Sequence, residues 1–237
     1  MICAEEKVMV IGGKHFGQYT YEHWFDHEFE EERTMDIKLR LEEESDYSIV
    51  ENITREAFWN VYRPGCAEHL VIHNMRNANE FIRELDYVAS YNNEIVGNIV
   101  YVKSKIISTI KEYDVLTFGP VSVLPMYQKK GIGKKLIEHT IKKSKRFGFN
   151  AIIIYGNPKY YEKFGFKNTK EYGITDMEGN YSEALMALEL FPNSLRNTKG
   201  KFFEGEIYKI NKEELEAFEK IFPYREKLVL DTQIFKE

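Results

Sequence analysis

Hydrophobic and polar positions alternate or recur along the chain in patterns that predict short strands and amphipathic helices. Asp46 is a predicted N-cap, because apolar residues recur at helical spacing after it until Pro64 and Gly65. Asn92 and Asn93 predict a hairpin turn, since asparagine tolerates positive φ. The predicted elements are strand 37–41, helices 46–63 and 68–75, hairpin 87–102, strand 115–123, helix 132–147, strand 151–155, helix 158–164, strands 184–190 and 201–210, and helix 212–221. This order predicts a mixed α/β fold.

Composition shifts near both ends of the chain predict three parts. Residues 1–35 are rich in aromatic and acidic side chains and come before the first predicted strand. Pro192 marks the second shift. We therefore predict an N-terminal extension (1–35), a main domain (36–191) and a small C-terminal appendage packed on that domain (192–237). The extension packs on the domain, or the native start is Met35; the sequence leaves both open.

Overall composition describes a soluble globular protein of 237 residues, with 43% hydrophobic and 30% charged residues. The formal net charge of −5 argues against a nucleic-acid partner. Cys3 and Cys66 are too few for a disulfide framework, which favours a reducing cytoplasm. No run of 18 apolar residues and no signal-peptide pattern occur, so we expect no membrane partner. The oligomeric state is open, with a homodimer as one candidate.

The most informative stretch is residues 121–136, where a β-branched run passes through a glycine-containing turn into an amphipathic helix. The first turn of a helix has backbone N–H groups without intrahelical partners, and the helix dipole adds partial positive charge there. Gly131 and Gly133 let a ligand approach the backbone closely. Residues 128–147 hold eight Lys or Arg and one acid, Glu138, which makes a basic island on an acidic protein. These features predict a site for a phosphate-bearing ligand.

Two common phosphate motifs do not fit this stretch. A Walker loop would need glycine at Gln128 and serine or threonine at Lys135. A dinucleotide fingerprint would need a small residue at Leu136. A nucleotide-binding protein is therefore a weak third reading.

The pattern Gln128-x-x-Gly131-x-Gly133 resembles the acetyl-CoA pyrophosphate loop of the GNAT superfamily of N-acetyltransferases. Residues 152–166 resemble the fifth strand of that family, the short helix after it and its Tyr-x-x-x-Gly-Phe signature. The Gly-Asn-Pro-x-Tyr-Tyr-x-x-Phe-Gly-Phe form resembles one branch of predicted bacterial acetyltransferases. The specific match covers residues 118–166, and a looser match in element order covers residues 37–191.

The resemblance implies a central mixed sheet flanked by helices, and direct transfer of an acetyl group from acetyl-CoA to the amine of a small molecule or peptide. It implies catalytic roles for Tyr161, as the acid for the leaving thiolate, and for Val123, whose N–H would stabilise the thioester oxygen. The cofactor-binding residues that it implies are Val121, Ser122, Val123, Gln128, Lys129, Lys130, Gly131, Ile132, Gly133, Lys134, Asn157 and Tyr160. Asn157 either caps the short helix or binds pantetheine, and Tyr160 either packs or walls the acyl pocket.

A general base is not readable from the sequence. Many relatives use a glutamate on the central strands, but residues 118–123 contain no carboxylate. A water chain, Glu68 or Glu84 are alternatives without a specific signal. A non-catalytic acyl-CoA-binding or sensing module on the same fold is therefore the second reading.

Histidine and cysteine patterns predict no metal site and no thiol nucleophile. His23 and His27, like His69 and His73, are four residues apart, but a third ligand at matching spacing is missing. Cys66 and His69 would need a third group to orient the histidine, and the sequence indicates none.

Overall fold

A computed structural model describes residues 35–234 of the chain. The predicted extension, with Cys3, His23 and His27, lies outside the described residues. The strands are β1 Lys38–Leu41, β2 Tyr87–Tyr91, β3 Glu94–Ile107, β4 Glu112–Val123, β5 Ala151–Tyr155, β6 Lys167–Asn168, β7 Ile174–Thr175, β8 Leu185–Glu189 and β9 Gly200–Phe203. The helices are α1 Tyr47–Phe58, α2 Glu68–Met75, α3 Ile132–Arg146, α4 Pro158–Tyr161 and α5 Lys212–Glu219.

Within the described range these strands form one mixed sheet, in the order β1-β2-β3-β4-β5-β8-β6. Strand β9 pairs with β3 and β7, so residues after Pro192 contribute a strand to the same sheet. The β4–β5 and β7–β9 pairs are parallel, whereas the other strand pairs are antiparallel. The predicted mixed α/β class, with a central mixed sheet flanked by helices, is confirmed.

Helices cover both faces of the sheet. Successive residues of a strand point to opposite faces, so neighbouring residues of β3 contact different helices. Val100 packs in a buried cluster with Val50 of α1 and Ile72 of α2. The next residue, Tyr101, turns to α3, where its hydroxyl lies 2.9 Å from Thr140 Oγ1. We call these the α1/α2 face and the α3 face.

The central strands separate in the middle of the sheet. Strand β4 pairs with β5 at one position, Leu116 opposite Ile152. Along β3 the register shifts, since Tyr101 pairs with Phe118 whereas Ile99 pairs with Val121. Strand β4 therefore holds one extra residue there, and such a bulge bends the strand.

Several predicted boundaries were wrong. Helix α1 ends at Phe58, because Asn60 adopts a φ of 60° and its side chain accepts from the Gly65 N–H. The predicted strand 201–210 is Gly200–Phe203, since Gly205 has a φ of 121°. The Asp46 side chain does not cap α1; it accepts from the Glu43 N–H and pairs with Arg40. No helix in residues 35–234 is long and apolar enough to cross a bilayer.

One buried cluster of charged groups holds β1 and β2 against α2. Arg76 donates to both carboxylate oxygens of Glu42, at 3.1 and 2.7 Å, and to Glu51 at 2.6 Å. Asp86 is 3% exposed and its carboxyl group lies beside Glu42. Burial raises the pKa of Asp86 well above its usual range, and the hydrogen bond and charge of Glu42 raise it further. The folded protein therefore keeps a proton on Asp86 at neutral pH.

We predict that the stability of the protein falls as pH rises through neutrality, and that Asp86→Asn weakens this dependence. An unfolded aspartate has a pKa of about 3.9, so above that pH folding takes up a proton. One such proton lowers the free energy of unfolding by at most about 1.4 kcal/mol per pH unit. Denaturant melts between pH 5 and 9 measure the slope. Asp114→Asn, at an exposed position of β4, is the control, and equal slopes for Asp86→Asn and wild type would contradict the assignment.

Candidate active site

A cleft opens where β4 separates from β5. Leu116 of β4 pairs with Ile152 of β5. Beyond that point the two strands form no pairs, so the last residues of β4 face the loop that follows β5 across a gap. Backbone groups on this side of β4 lack a neighbouring strand.

The backbone of Val123 faces this cleft. The Leu124 N–H donates to the Val96 carbonyl at 2.9 Å, and the bond pattern of antiparallel strands then directs the Val123 N–H away from β3. The Val123 carbonyl also points away from β3, because it accepts from Gln128 Nε2 at 3.0 Å. Val121 is two residues earlier on the strand, so its backbone groups have the same orientation. The structure therefore brings Val121 and Val123 to the cleft by their backbone groups.

Ser122 points the other way. Its side chain is fully buried, and its hydroxyl donates to Thr54 Oγ1 of α1 at 3.0 Å. This contact fixes the end of β4 against α1. A direct ligand role for Ser122 stays a prediction, since its hydroxyl is engaged by the core.

The loop after β4 presents the N-terminus of α3 to the cleft. Gly131 is the N-cap residue, with a φ of 82° in the left-handed region that favours glycine. The first intrahelical bond runs from the Lys135 N–H to the Gly131 carbonyl, at 3.0 Å. The N–H groups of Ile132, Gly133 and Lys134 therefore have no acceptor within the helix. Ile132 buries its side chain in the core, so it offers its N–H alone.

Exposed lysines surround this helix terminus. Lys129 has a φ of 62°, and the Lys130 ammonium lies 5.4 Å from the centre of the Tyr127 ring. Lys134 lies 3.8 Å from Glu138 on the same helix, a weak solvent-exposed pair. An anion held by the three N–H groups would gain the field of these cations as well.

Tyr160 stands opposite the helix terminus. A Cβ built on Gly133 would lie 3.3 Å from the Tyr160 hydroxyl, so this hydroxyl is close to the first turn of α3. The Lys163 ammonium lies 3.8 Å from the centre of the Tyr160 ring and holds the ring from the other side. Asn157 caps α4 by accepting from the Lys159 N–H at 3.1 Å, which is the first of its two predicted roles.

Tyr161 lies deeper, in an aromatic cluster below the cleft. Its ring centre is 6.0 Å from that of Phe118 and 5.7 Å from that of Phe166. Burial raises the pKa of its hydroxyl, and the neighbouring Tyr160 and Tyr62 raise it further. The phenol therefore holds its proton at any physiological pH, as a proton donor must before it acts.

Cys66 and His69 do have a third group, which sequence reasoning missed. Cys66 Sγ lies 3.0 Å from His69 Nδ1, and His69 Nε2 lies 3.1 Å from Glu219 Oε2 of α5. Glu219 also pairs with Arg55. However, Cys66 is 3% exposed and burial raises its thiol pKa, while burial lowers the pKa of His69 to about 4. A buried, protonated thiol is not a nucleophile, so the group joins α5 to α2 rather than performing chemistry.

The structure gives neither Glu68 nor Glu84, the alternative bases from the sequence, a distinctive position at the cleft. The Glu68 carboxylate accepts from the Ala67 N–H at 2.9 Å at the start of α2. Glu84 is exposed in the turn before β2. Over the described part of the chain, no group of three or more His, Cys, Asp or Glu side chains is arranged to hold a metal ion.

Residues 83–168, from the turn before β2 to β6, match the family model of the acetyltransferase (GNAT) domain. Over these residues the chain is similar to GNAT acetyltransferase domains. The match includes the cleft, the loop at the start of α3 and the tyrosine pair of α4. The resemblance that residues 118–166 indicated is thereby confirmed at the level of the family.

One curated sequence and two solved structures are also similar to this chain. The chain is 26% identical over 83 residues to the uncharacterized N-acetyltransferase YjhQ of Escherichia coli (strain K12), a match that spans 35% of this chain and 46% of that protein. The GNAT family N-acetyltransferase YhbS of Escherichia coli, solved in complex with CoA, superposes with a TM-score of 0.66 at 18% identity, over 73% of this chain and 92% of that one. A GNAT family acetyltransferase of Brucella melitensis, in complex with acetyl-CoA, gives 0.59 at 24% identity, over 73% and 98%. At these identities the two structures establish the shared fold.

We predict that Gly131→Ala lowers the free energy of unfolding by about 1–2 kcal/mol, the cost of a side chain in the left-handed region. The added Cβ would meet nothing within 4 Å, so the cost is conformational rather than steric. Gly133→Ala is the control, because Gly133 has a helical φ and alanine favours a helix. Its Cβ would lie 3.3 Å from the Tyr160 hydroxyl, the end of a side chain that can shift by a few tenths of an ångström. Urea melts measure both variants, and equal destabilisation of the two would contradict the backbone explanation.

Proposed function

We propose that the protein is an N-acetyltransferase that moves the acetyl group of acetyl-CoA directly to a small-molecule or peptide amine. The observation that carries this proposal is the set of three unpartnered N–H groups at the start of α3, placed at the cleft where β4 leaves β5. The complexes of YhbS with CoA and of the Brucella protein with acetyl-CoA support the same cosubstrate on this fold. Residues 36–191 form the transferase domain in this proposal.

The loop and the strand would hold different parts of acetyl-CoA. The N–H groups of Ile132, Gly133 and Lys134 suit its diphosphate, and the lysines around Gly131 add charge. Gln128 would act indirectly, because its side chain donates to the Val123 carbonyl and so holds the loop against β4. The backbone groups of Val121 and Val123, with Asn157 and Tyr160 opposite, suit the pantetheine arm, which carries amides. The thioester supplies the activated acetyl group.

The reaction requires stabilisation of the thioester oxygen and protonation of the leaving thiolate. The Val123 N–H is free of β3 and preorganised in a protein cleft, which suits the first task. Tyr161 retains its proton and suits the second. Direct transfer is favoured over an acyl-enzyme because Cys66, the cysteine among the described residues, is buried and protonated.

We predict that CoA raises the melting temperature of wild-type protein, and that Gly133→Asp abolishes this shift. An aspartate in the first helical turn is compatible with the helix, but its carboxylate would repel a diphosphate at the same N–H groups. Lys142→Gln changes the net charge equally on the same helix and should keep the shift. Thiol release from acetyl-CoA with a panel of amines distinguishes a transferase from a binding or sensing module. A normal CoA shift in Gly133→Asp would refute the loop assignment.

We predict that Tyr161→Phe lowers the turnover number by about 10²–10⁴ while CoA affinity changes little. Phenylalanine keeps the ring in its aromatic cluster and removes the hydroxyl alone. Tyr160→Phe is the matched control, one residue earlier on the same helix, and should affect turnover far less. Steady-state thiol release gives the rates, and denaturant melts report packing. Equal turnover for wild type and Tyr161→Phe would remove Tyr161 from the mechanism.

A further inference from the structure

The C-terminal segment brings a carboxylate to the cleft from the α1/α2 face. Phe202 of β9 pairs with Ile106 of β3, and its ring centre lies 6.1 Å from that of Tyr155, at the end of β5. Two residues further, Glu204 follows the same strand alternation, and its backbone carbonyl accepts from Ser104 Oγ at 2.8 Å. Glu204 therefore lies on the side of the sheet that carries Phe202 and Tyr155.

Tyr208 fixes this segment at the mouth of the cleft. Its hydroxyl donates to the Gly119 carbonyl at 3.2 Å. Gly119 lies three residues beyond Leu116, in the part of β4 that no longer pairs with β5. The segment 204–208 thus crosses the sheet directly beside the opening, on the face opposite to α3. A second substrate that enters from this side would meet the segment before it reaches Val123.

The Glu204 carboxylate is half-buried, and no described residue forms a hydrogen bond or ion pair with it. By contrast, Glu206 pairs with Lys209 at 2.9 Å, and one oxygen of Asp176 accepts from the Asn180 N–H at 2.7 Å. Burial alone raises the pKa of Glu204 to about 7. A glutamate with this pKa is half ionised at neutral pH, which is the range in which a general base works best.

Further carboxylates face the same opening. Strand β7 pairs with β9, so Asp176 and Glu178, in the turn after β7, lie near the strand that leads to Glu204. After burial, the charges of Glu204, Asp176 and Glu178 raise the pKa of Tyr155. The Lys201 ammonium is directed to the Met177 carbonyl, so a backbone group engages it. This side of the cleft therefore carries three carboxylates and one ammonium, in contrast to the cationic loop at the start of α3.

We propose that Glu204 is the general base of the transfer, and that the acceptor is an aliphatic amine that carries a second positive charge, held by Asp176 and Glu178. This inference rests on the proposed function. In the reaction, Glu204 takes one proton from the acceptor ammonium. The free amine forms a bond to the acetyl carbon, and the carbon–sulfur bond breaks with its electron pair on sulfur. The thiolate takes a proton from Tyr161, and the second proton lost by nitrogen restores the phenol. The net products are the amide, the thiol of CoA and one proton.

Glu204→Gln tests the base, with Glu206→Gln as the matched control two residues away. Wild type and both variants should show the same CoA thermal shift, which verifies folding and the loop. Glu204→Gln should lower the turnover number at least about a hundredfold and remove the ionisation near pH 7 from the pH profile of kcat/KM. Glu206→Gln should behave as wild type. Glu204→Asp, which keeps a carboxylate, should retain part of the activity and the ionisation.

The acceptor class is tested by comparing 1,4-diaminobutane with butylamine, which differ in the second ammonium group. Wild type should prefer the diamine in kcat/KM, and Asp176→Asn with Glu178→Gln should reduce this preference. Equal kcat/KM for the two amines would overturn the acceptor class. Active wild type with an unchanged rate and pH profile in Glu204→Gln would overturn the base alone. Wild type that binds CoA but acetylates no amine would overturn the proposed function, and wild type without a CoA shift would refute the loop itself.

Discussion

The main constraint on this fold is that the neighbouring parallel strands β4 and β5 pair at a single position. A sheet normally pairs the backbone groups of its central strands, and unpaired polar groups inside a protein are costly. Strands β4 and β5 separate after Leu116 and Ile152, so the end of β4 has backbone groups without a neighbouring strand. These groups need water or a ligand with amides of its own. The cleft is therefore the candidate binding site, and the neighbouring elements hold its two sides apart.

Three features keep the end of β4 apart from β5. The bulge between Phe118 and Val121 bends β4, and the hydroxyl pair of Ser122 and Thr54 fixes its end to α1. Gln128 then joins the loop before α3 to the Val123 carbonyl. The bent strand and the helix terminus consequently form a single unit, with the Val123 N–H and the first turn of α3 directed to the same cleft. This explains how a site built mainly from backbone groups can be rigid.

The segment after Pro192 is part of this arrangement rather than a separate body. Strand β9 extends the sheet beside β3, and α5 is joined to the first two helices through Glu219, which contacts Arg55 and His69. Trp59 donates to the Glu226 carbonyl at 3.0 Å, further along the same segment. These buried contacts position residues 204–208 across the cleft. They thereby place the Glu204 carboxylate near the cleft, whereas residues 118–123 contain no carboxylate.

The local sequence pattern was sufficient to predict those helices, strands and turns that depend on only a few neighbouring residues. The Asn92–Asn93 hairpin, helix 68–75 and strand 151–155 were predicted correctly, as was the helix that begins beside Gly131, because turn residues and periodicity act over short distances. The phosphate-type loop and the tyrosine pair were also readable, since each is a contiguous motif. Glu204 and Glu219 were not readable as site residues. Their surroundings come from residues far away in sequence, such as Tyr155, Gly119, His69 and Arg55. Burial and pKa depend on those neighbours, so the tertiary structure alone decided that one carboxylate is ion-paired and the other is unpartnered beside the cleft.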